Sequence, residues 1–292
     1  MPAAVLACPA NVSEGRRPEV VSKIAAAAGL PGAVLLDVHS DPDHNRSVLT
    51  FLGPPDRLVE AMVAATSAAM DMIDLRGHQG IHPRMGAMDV IPFVPLRSAG
   101  MPSAVAAARE CARRIWAEAG VPCFLYEEAT LGGGPPRPLP EVRRRAFREL
   151  APDFGGPHPH PTAGGVAVGA RAVLVAYNVD LATEDAAVAR RIARAIRERD
   201  GGLPHVRALG LSLPSRNASQ VSTNLTRPTI TPIGVVFEAV ANLAAAEGVR
   251  VTGSEIVGLT PRAALPPSAE YLMLAQPPKI LEDEVARLFG AP

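Results

Sequence analysis

Apolar residues recur at two spacings along the first half of the chain, one typical of helices and one of strands. Apolar residues at helical spacing predict three helices, over 19–28, 56–73 and 103–120. Short apolar runs predict four strands, over 33–39, 47–52, 90–94 and 121–127, and the run 6–10 could add an edge strand. Because 33–39 is apolar at nearly every position, we expect both of its faces to be covered.

The second half repeats this content in kind. Strands are predicted over 172–178, 206–213, 218–224, 249–254 and 256–259, helices over 182–199 and 231–247, and a short helical tail follows residue 261. The predicted fold class is α/β, of the α+β sandwich type, with helices packed on one face of each sheet. We expect two subdomains, 1–171 and 172–292.

Glycine and proline dominate the segment between these halves. Residues 141–150 predict a basic helix, whereas proline alternates through 151–161 and excludes regular structure there. Two interpretations remain open for 151–161: a plain connector, or a loop that closes over a ligand.

Charge and composition exclude several classes of function. Lys plus Arg and Asp plus Glu number 29 each, so nothing indicates binding to nucleic acid or to an anionic membrane. The arginines of 182–199 alternate with acidic residues, as on a solvated helix face. The three cysteines have no metal or disulfide spacing, and no apolar run is long enough to cross a bilayer. We therefore expect a cytoplasmic protein.

The connection 78–89 carries the densest group of candidate catalytic residues. It holds two histidines, an arginine, an aspartate and two glycines between a predicted helix and a predicted strand. Histidine suits proton transfer near neutral pH. By itself the segment is equally explained as a tight polar loop. A metal site built from His39, His44, His78 and His82 is conceivable, but the spacing matches no zinc pattern and we expect no metal.

Several strings along the whole chain resemble one family. They are NVSEGR at 11–16, LDV at 36–38, NRSV at 45–48, HPRMGA at 82–87 with DVIP at 89–92, APDFG at 151–155, VGAR at 168–171, AYN at 176–178, QVSTNL at 220–225 and GSEIVGL at 253–259. The family is glutamate formiminotransferase, also found as the formiminotransferase part of formiminotransferase-cyclodeaminase. Separate strings in the family's order are more specific than any single motif.

The resemblance implies two subdomains with a ligand cleft between them, and a homodimer. It implies transfer of the formimino group from N-formimino-L-glutamate to the co-substrate tetrahydrofolate, giving 5-formiminotetrahydrofolate and L-glutamate in histidine degradation. We expect a separate protein to supply cyclodeaminase activity. Two alternatives are kept: a catalytically altered folate-binding protein of the same fold, and a folate-dependent one-carbon transferase with another donor.

The resemblance also implies roles for single residues. His82 would be the general base, and Asp37 and Asn45 would stabilise a cationic intermediate. Arg46 and Arg84 would bind substrate carboxylates, because guanidinium pairs with carboxylate through two hydrogen bonds.

A second group of residues would bind substrate. The segment 155–164 matches the family's folate-contacting loop, with candidates Gly155, Gly156, Pro157, His158, His160, Thr162 and Gly164. On a predicted strand, Gln220, Ser222 and Asn224 could line the ligand cleft or cap a sheet edge, and both interpretations stay open. His39 and Ile81 depart from the family pattern, which has acidic residues there, so the donor or the activity could differ.

Overall fold

Six strands of the first part of the chain form one mixed sheet in the computed structural model, which describes residues 4–290. The strand order is β2-β3-β1-β4-β6-β5. Pairing is antiparallel except where β6 joins β4 and β5 in parallel. The strands are β1 (Leu6–Val12), β2 (Val34–Asp41), β3 (Arg46–Gly53), β4 (Met88–Pro95), β5 (Cys123–Glu127) and β6 (Val166–Ala170).

Three long helices pack on one face of this sheet, and a fourth, short helix packs on the other. Each helix has proline in its first turn, where the absent N–H costs no hydrogen bond. Val142 of the short helix packs with Phe124 and Tyr126 on the second face. The helices are α1 (Pro18–Ala27), α2 (Pro55–Met72), α3 (Met101–Ala119) and α4 (Leu139–Arg145).

The remainder of the chain forms a four-stranded antiparallel sheet, ordered β10-β7-β9-β8. Helices α5 and α6 contribute Ile192 and Val236 to a core with Tyr177, Val179 and Val221 of this sheet. The elements are β7 (Val175–Leu181), α5 (Ala186–Ile196), β8 (Val206–Leu213), β9 (Ala218–Leu225), α6 (Ile233–Ala246), β10 (Val251–Val257), β11 (Leu259–Thr260), β12 (Lys279–Ile280) and α7 (Leu281–Phe289).

The chain divides into two compact units, one ending at Ala172 and the other beginning at Val173. The predicted fold class is confirmed: helices cover one face of each sheet, with α4 as an addition. The ends of the predicted subdomains, residues 1–3 and 291–292, lie outside the described residues. Within 4–290, no helix is both long and apolar enough to cross a membrane.

Several predictions about single strands were wrong. The run 6–10 forms a central strand, not an edge strand, because β1 pairs with both β3 and β4. Strand β2 is the edge strand, and its Leu35 and Val38 are 37% and 46% exposed, so its faces are not both covered. Strand β6 was missed, and its apolar run is too short to separate from loop. The predicted helix 141–150 ends at Arg145.

Candidate active site

Three strand ends meet at one edge of the six-stranded sheet. Strand β1 finishes at Val12, which pairs with Ser47 at the start of β3 and with Met88 at the start of β4. Because both neighbours run antiparallel to β1, the loops before β3 and β4 must lie beside the segment that follows β1. The sequence motifs at 11–16, 45–48 and 82–92 therefore come together, although more than 30 residues separate each from the next.

Hydrogen bonds fasten the histidine-bearing connection to the β2–β3 turn. Asn45 Nδ2 donates to the Gln79 carbonyl at 2.8 Å, and its Oδ1 accepts from Gly15 N at 2.9 Å. Ile81 N donates to the Asp43 carbonyl at 3.1 Å. Asn45 has φ +47°, a left-handed conformation that asparagine tolerates better than most residues. Asn45 therefore spends its amide on positioning the loop.

Asp89 is the centre of a buried charge cluster. Its carboxylate is 0% exposed and accepts from Arg46 Nη1, from Arg143 Nη2 at 2.5 Å and from Met85 N at 2.8 Å. Asn11 Oδ1 accepts from Arg46 Nε and Nη2, at 3.1 and 2.7 Å. We call Asn11, Arg46, Asp89 and Arg143 the arginine–carboxylate cluster. Burial disfavours ionisation of Asp89, but Arg143 and Arg46 outweigh it and hold its pKa well below its usual range.

A β-bulge directs Asp89 towards this cluster. The register between β1 and β4 shifts between Asn11, opposite Val90, and Val12, opposite Met88, so Asp89 is the extra residue. In a regular strand, Asp89 would share a face with Ile91, which packs in the helix-covered core. The bulge allows both Met88 and Ile91 to stay in that core while the carboxylate meets the two arginines.

His82 lies half-buried beside this positive surrounding. Its Nδ1 is 2.8 Å from the Pro83 carbonyl, and its ring centroid is 5.6 Å from that of His44. Burial lowers the pKa of His82 well below the usual value, and Arg46, Arg143 and His44 lower it further against the opposing effect of Asp89. His82 is therefore neutral at neutral pH. A neutral imidazole with a carbonyl at Nδ1 presents Nε2 as a proton acceptor.

Arg84 holds the backbone of the same loop. Its Nη2 donates to the carbonyls of Gly80 and, at 3.1 Å, His82. A Cβ at Gly80 would overlap the His44 carbonyl oxygen and lie 2.9 Å from both Arg84 Nη2 and Asn45 Cβ. Glycine at position 80 is thus required for the close approach of the loop to the β2–β3 turn.

Asp37 is farther from this site than the other predicted catalytic residues. Asp41, opposite Arg46 in the sheet, is four residues beyond Asp37 on β2, about 13 Å at the usual strand rise. Asp37 and His39 share the sheet face of Arg46, because side chains alternate along a strand and all three lie an even number of pairs apart. The structure therefore places Asp37 on the correct face but outside the arginine–carboxylate cluster.

One end of the segment 155–164 joins the histidine-bearing connection. Gly164 forms a bridge to Gly86 with φ +70°, and the Thr162 carbonyl accepts from Leu75 N at 2.8 Å. His160 Nδ1 accepts from Ala163 N at 3.1 Å and so caps this turn. The other end is exposed and makes no such bridge among the described residues: Pro157 and His158 are exposed, Gly156 is half-buried, and Gly155 has φ +126°.

The three remaining predicted residues lie in the second unit, on β9. Gln220 is buried, Ser222 is half-buried and Asn224 is exposed. All three face away from the core, because the intervening Val221 and Thr223 are the residues buried towards the helices. They lie in the middle of the sheet, since β9 pairs with β7 and β8, so they do not cap an edge.

Comparison with protein families decides what this chain is related to. A family described as "Formiminotransferase domain, N-terminal subdomain" matches residues 5–171, and "Formiminotransferase domain" matches residues 176–288. The chain belongs to the formiminotransferase family. The resemblance predicted from the sequence motifs is thereby confirmed.

Formiminotransferase relatives with curated names match over most of this chain. A "Glutamate formimidoyltransferase" of Streptococcus pyogenes serotype M1 is 40% identical over 93% of this chain and 94% of the relative. A protein of the same name from Thermoplasma acidophilum is 42% identical over 91% of each chain. The "Formimidoyltransferase-cyclodeaminase" of Sus scrofa is 40% identical over 95% of this chain and 54% of its own length.

Sequence reasoning missed three members of this formiminotransferase's arginine–carboxylate cluster. Asn11 and Asp89 lie within the matched strings, but neither was given a role. Arg143 lies on a basic helix that pattern alone assigns to solvent. Their signal was indirect: an aspartate directly before an otherwise apolar strand needs a buried partner.

The described part of the formiminotransferase chain contains no group of three or more His, Cys, Asp or Glu side chains arranged to hold a metal ion. The side chains around His82 are guanidinium groups, which repel cations. The site is therefore built to receive anionic groups.

Proposed function

We propose that this chain is a glutamate formimidoyltransferase, which moves the formimino group from N-formimino-L-glutamate to tetrahydrofolate. The observation that carries the proposal is the match, over more than nine tenths of both chains, to two proteins of that name. Histidine degradation is the pathway in which this family acts.

We assign the general base to His82. Nitrogen N5 of tetrahydrofolate attacks the formimino carbon and forms the new C–N bond, and its proton passes to the neutral imidazole. The imidazolium then returns a proton to the glutamate nitrogen as the bond from that nitrogen to carbon breaks. The low pKa of His82 supports this role, because the base form is present before substrate binds.

We assign recognition of the donor's carboxylates to the arginines around His82. Formiminoglutamate carries two carboxylates, and Arg46, Arg84 and Arg143 outnumber Asp89. Arg46 already bonds Asn11 and Asp89, and Arg84 bonds backbone carbonyls, which favours Arg143 for direct contact. Arg143 Nε is buried with no hydrogen-bond partner among the described residues, so this guanidinium keeps a donor for a substrate carboxylate.

The remaining proposals concern folate contacts and the setting of the enzyme. Residues 155–164 would contact folate beside His82, and the bridge between Gly86 and Gly164 supports this. Asp37 would help to stabilise the cationic intermediate, and Asn45 would position the His82 loop. We further propose a cytoplasmic homodimer that works with a separate cyclodeaminase.

Turnover in the presence of both substrates tests the proposal. Purified protein is incubated with formiminoglutamate and tetrahydrofolate, and acid then converts 5-formiminotetrahydrofolate to the methenyl form, whose near-ultraviolet absorbance is measured. We expect turnover that requires both substrates. Tight tetrahydrofolate binding without turnover would favour a folate-binding protein that has lost the chemistry, and turnover with another one-carbon donor alone would favour a related transferase.

A further inference from the structure

The uncovered face of the four-stranded sheet carries a compact group of carboxylates and amides. Gln220 Nε2 donates to Asp180 Oδ1 at 2.9 Å and to Glu255 Oε1 at 3.2 Å. Asn178 Nδ2 donates to the same Glu255 oxygen at 2.8 Å. We call Asn178, Asp180, Gln220 and Glu255 the carboxylate–amide cluster.

Strand register explains why these four residues share one face. Asp180 pairs with Gln220, and Asn178 pairs with Glu255 on the other neighbouring strand. Paired residues in antiparallel strands point to the same side, and residues two apart on one strand do so too. The other side of β7 carries Tyr177 and Val179, which lie in the core under the helices.

Gln220 has an acceptor that the protein leaves unused. Its side chain is 0% exposed, and both hydrogens of its Nε2 are taken by the two carboxylates. Its Oε1 is buried with no partner among residues 4–290. An unsatisfied buried acceptor costs about 1–3 kcal/mol, so a molecule that donates a hydrogen bond there is favoured.

The charge of the cluster is negative. Asp180 and Glu255 both accept from Gln220, and the nearest cation recorded for them is Arg216, whose Nη1 is 3.3 Å from Asp180 Oδ2. Burial raises the pKa of Asp180, with partial compensation from Gln220 and Arg216. A ligand that suits this place must donate hydrogen bonds and tolerate or carry positive charge.

We propose that the carboxylate–amide cluster binds a planar N–C–N edge that carries two or more N–H donors. A carboxylate accepts two parallel N–H bonds from such an edge, and Gln220 Oε1 accepts a further one. This inference rests on the proposed function, whose substrates contain two edges of this kind. One is the 2-amino-4-oxopyrimidine edge of the tetrahydrofolate pterin, and the other is the formimino group of the donor.

Two isosteric variants test the cluster, with a matched control. Asp180→Asn and Glu255→Gln each replace one acceptor oxygen by an amide nitrogen and remove one charge. Glu238→Gln removes one charge from the exposed face of α6 in the same unit. The dissociation constant of tetrahydrofolate and the KM for formiminoglutamate are measured for all four proteins, and circular dichroism confirms folding.

The expected result is a loss of roughly tenfold or more in affinity for one substrate in both cluster variants and a change of less than about twofold in the control, because a hydrogen bond to a charged group contributes about 1.5–3 kcal/mol. If tetrahydrofolate affinity falls, the pterin is the source of the edge, and a 2-desamino-2-methyl analogue loses less affinity in Glu255→Gln than tetrahydrofolate does. If only the KM for formiminoglutamate rises, the formimino group is the source.

Wild-type behaviour in both substrates by either folded variant overturns the cluster assignment while leaving the proposed function intact. If wild-type protein neither turns over nor binds tetrahydrofolate, the proposed function fails instead. The cluster is then tested with pterin and with formamidinium chloride, by NMR titration of wild type and Glu255→Gln. Equal shifts in both proteins overturn the assignment, and weaker shifts in the variant support it.

Discussion

Arg143 on helix α4 donates to Asp89 at the start of β4 at 2.5 Å, across 54 positions of sequence. This contact brings a second guanidinium to a carboxylate that Arg46 already holds, and it ties α4 to the sheet edge where His82 lies. The positive charge beside His82 therefore depends on tertiary structure from three separate parts of the chain.

The pH dependence of turnover should shift when this charge is reduced. In the wild type, His82 is neutral at neutral pH and is protonated only when the pH falls through its lowered pKa. Arg143→Gln removes one of the cations that lower the pKa, so the base form is lost at a higher pH. We expect the acidic limb of the kcat/KM profile to move to higher pH. Arg144→Gln, an exposed neighbour on α4, is the control, and equal profiles for the two variants would contradict the assignment.

Loss of the Asp89 carboxylate should destabilise the fold. Asp89→Asn leaves two largely buried guanidinium groups without their common counter-charge, and removing one partner of a buried pair costs about 3–5 kcal/mol. Urea unfolding at pH 7 measures the change. Because the pKa of Asp89 is lowered by folding, its contribution is complete above roughly pH 4, where unfolded Asp is also ionised, and is lost only as the pH falls further.

Asp74→Asn supplies the control for this stability measurement. Asp74 pairs with Arg76 at 2.5 Å on the surface, where both side chains are well exposed. Exposed pairs contribute little, so its urea midpoint should match that of the wild type. An Asp89→Asn midpoint as high as that of Asp74→Asn would show that the arginine–carboxylate cluster adds nothing to stability.

Removal of the proposed base should abolish the chemistry with little effect on binding. His82→Ala is expected to lower kcat by about 100- to 10,000-fold, the usual contribution of general acid–base catalysis. Tetrahydrofolate affinity, measured by direct titration, should change little. His205→Asn is a suitable control, because His205 lies in the second unit with φ +60°, which asparagine accepts. Wild-type kcat in His82→Ala would remove His82 as the base.

A single methyl group at position 80 should disturb the site without touching a reactive side chain. Gly80→Ala must push the loop away from the His44 carbonyl and from Asn45. A displacement of about 1 Å near a reacting group can cost roughly 100-fold in rate, so kcat/KM should fall by about that factor. Gly77→Ala places the same group in open space and should retain activity. Equal rates for the two variants would show that the position of this loop does not limit catalysis.

Local patterns in the sequence predicted most helices and strands, because apolar spacing reports which face of an element is buried. They did not predict strand order. The segment 6–10 and the segment 33–39 are both short apolar runs, yet the first is central and the second is an edge strand. Pairing partners decide that difference, and a strand's own residues do not record them.

The sequence by itself determined the family, the two-part α/β architecture and the identity of the histidine-bearing loop, because these depend on local spacing and on ordered motifs. Only the tertiary structure decided the partners of His82. It joined Arg143 to Asp89 through a β-bulge, assigned Asn45 to loop positioning, and set Asp180 and Glu255 around the unsatisfied oxygen of Gln220. These contacts link residues far apart in sequence, and their strength comes from burial, which exists only once the strands have paired.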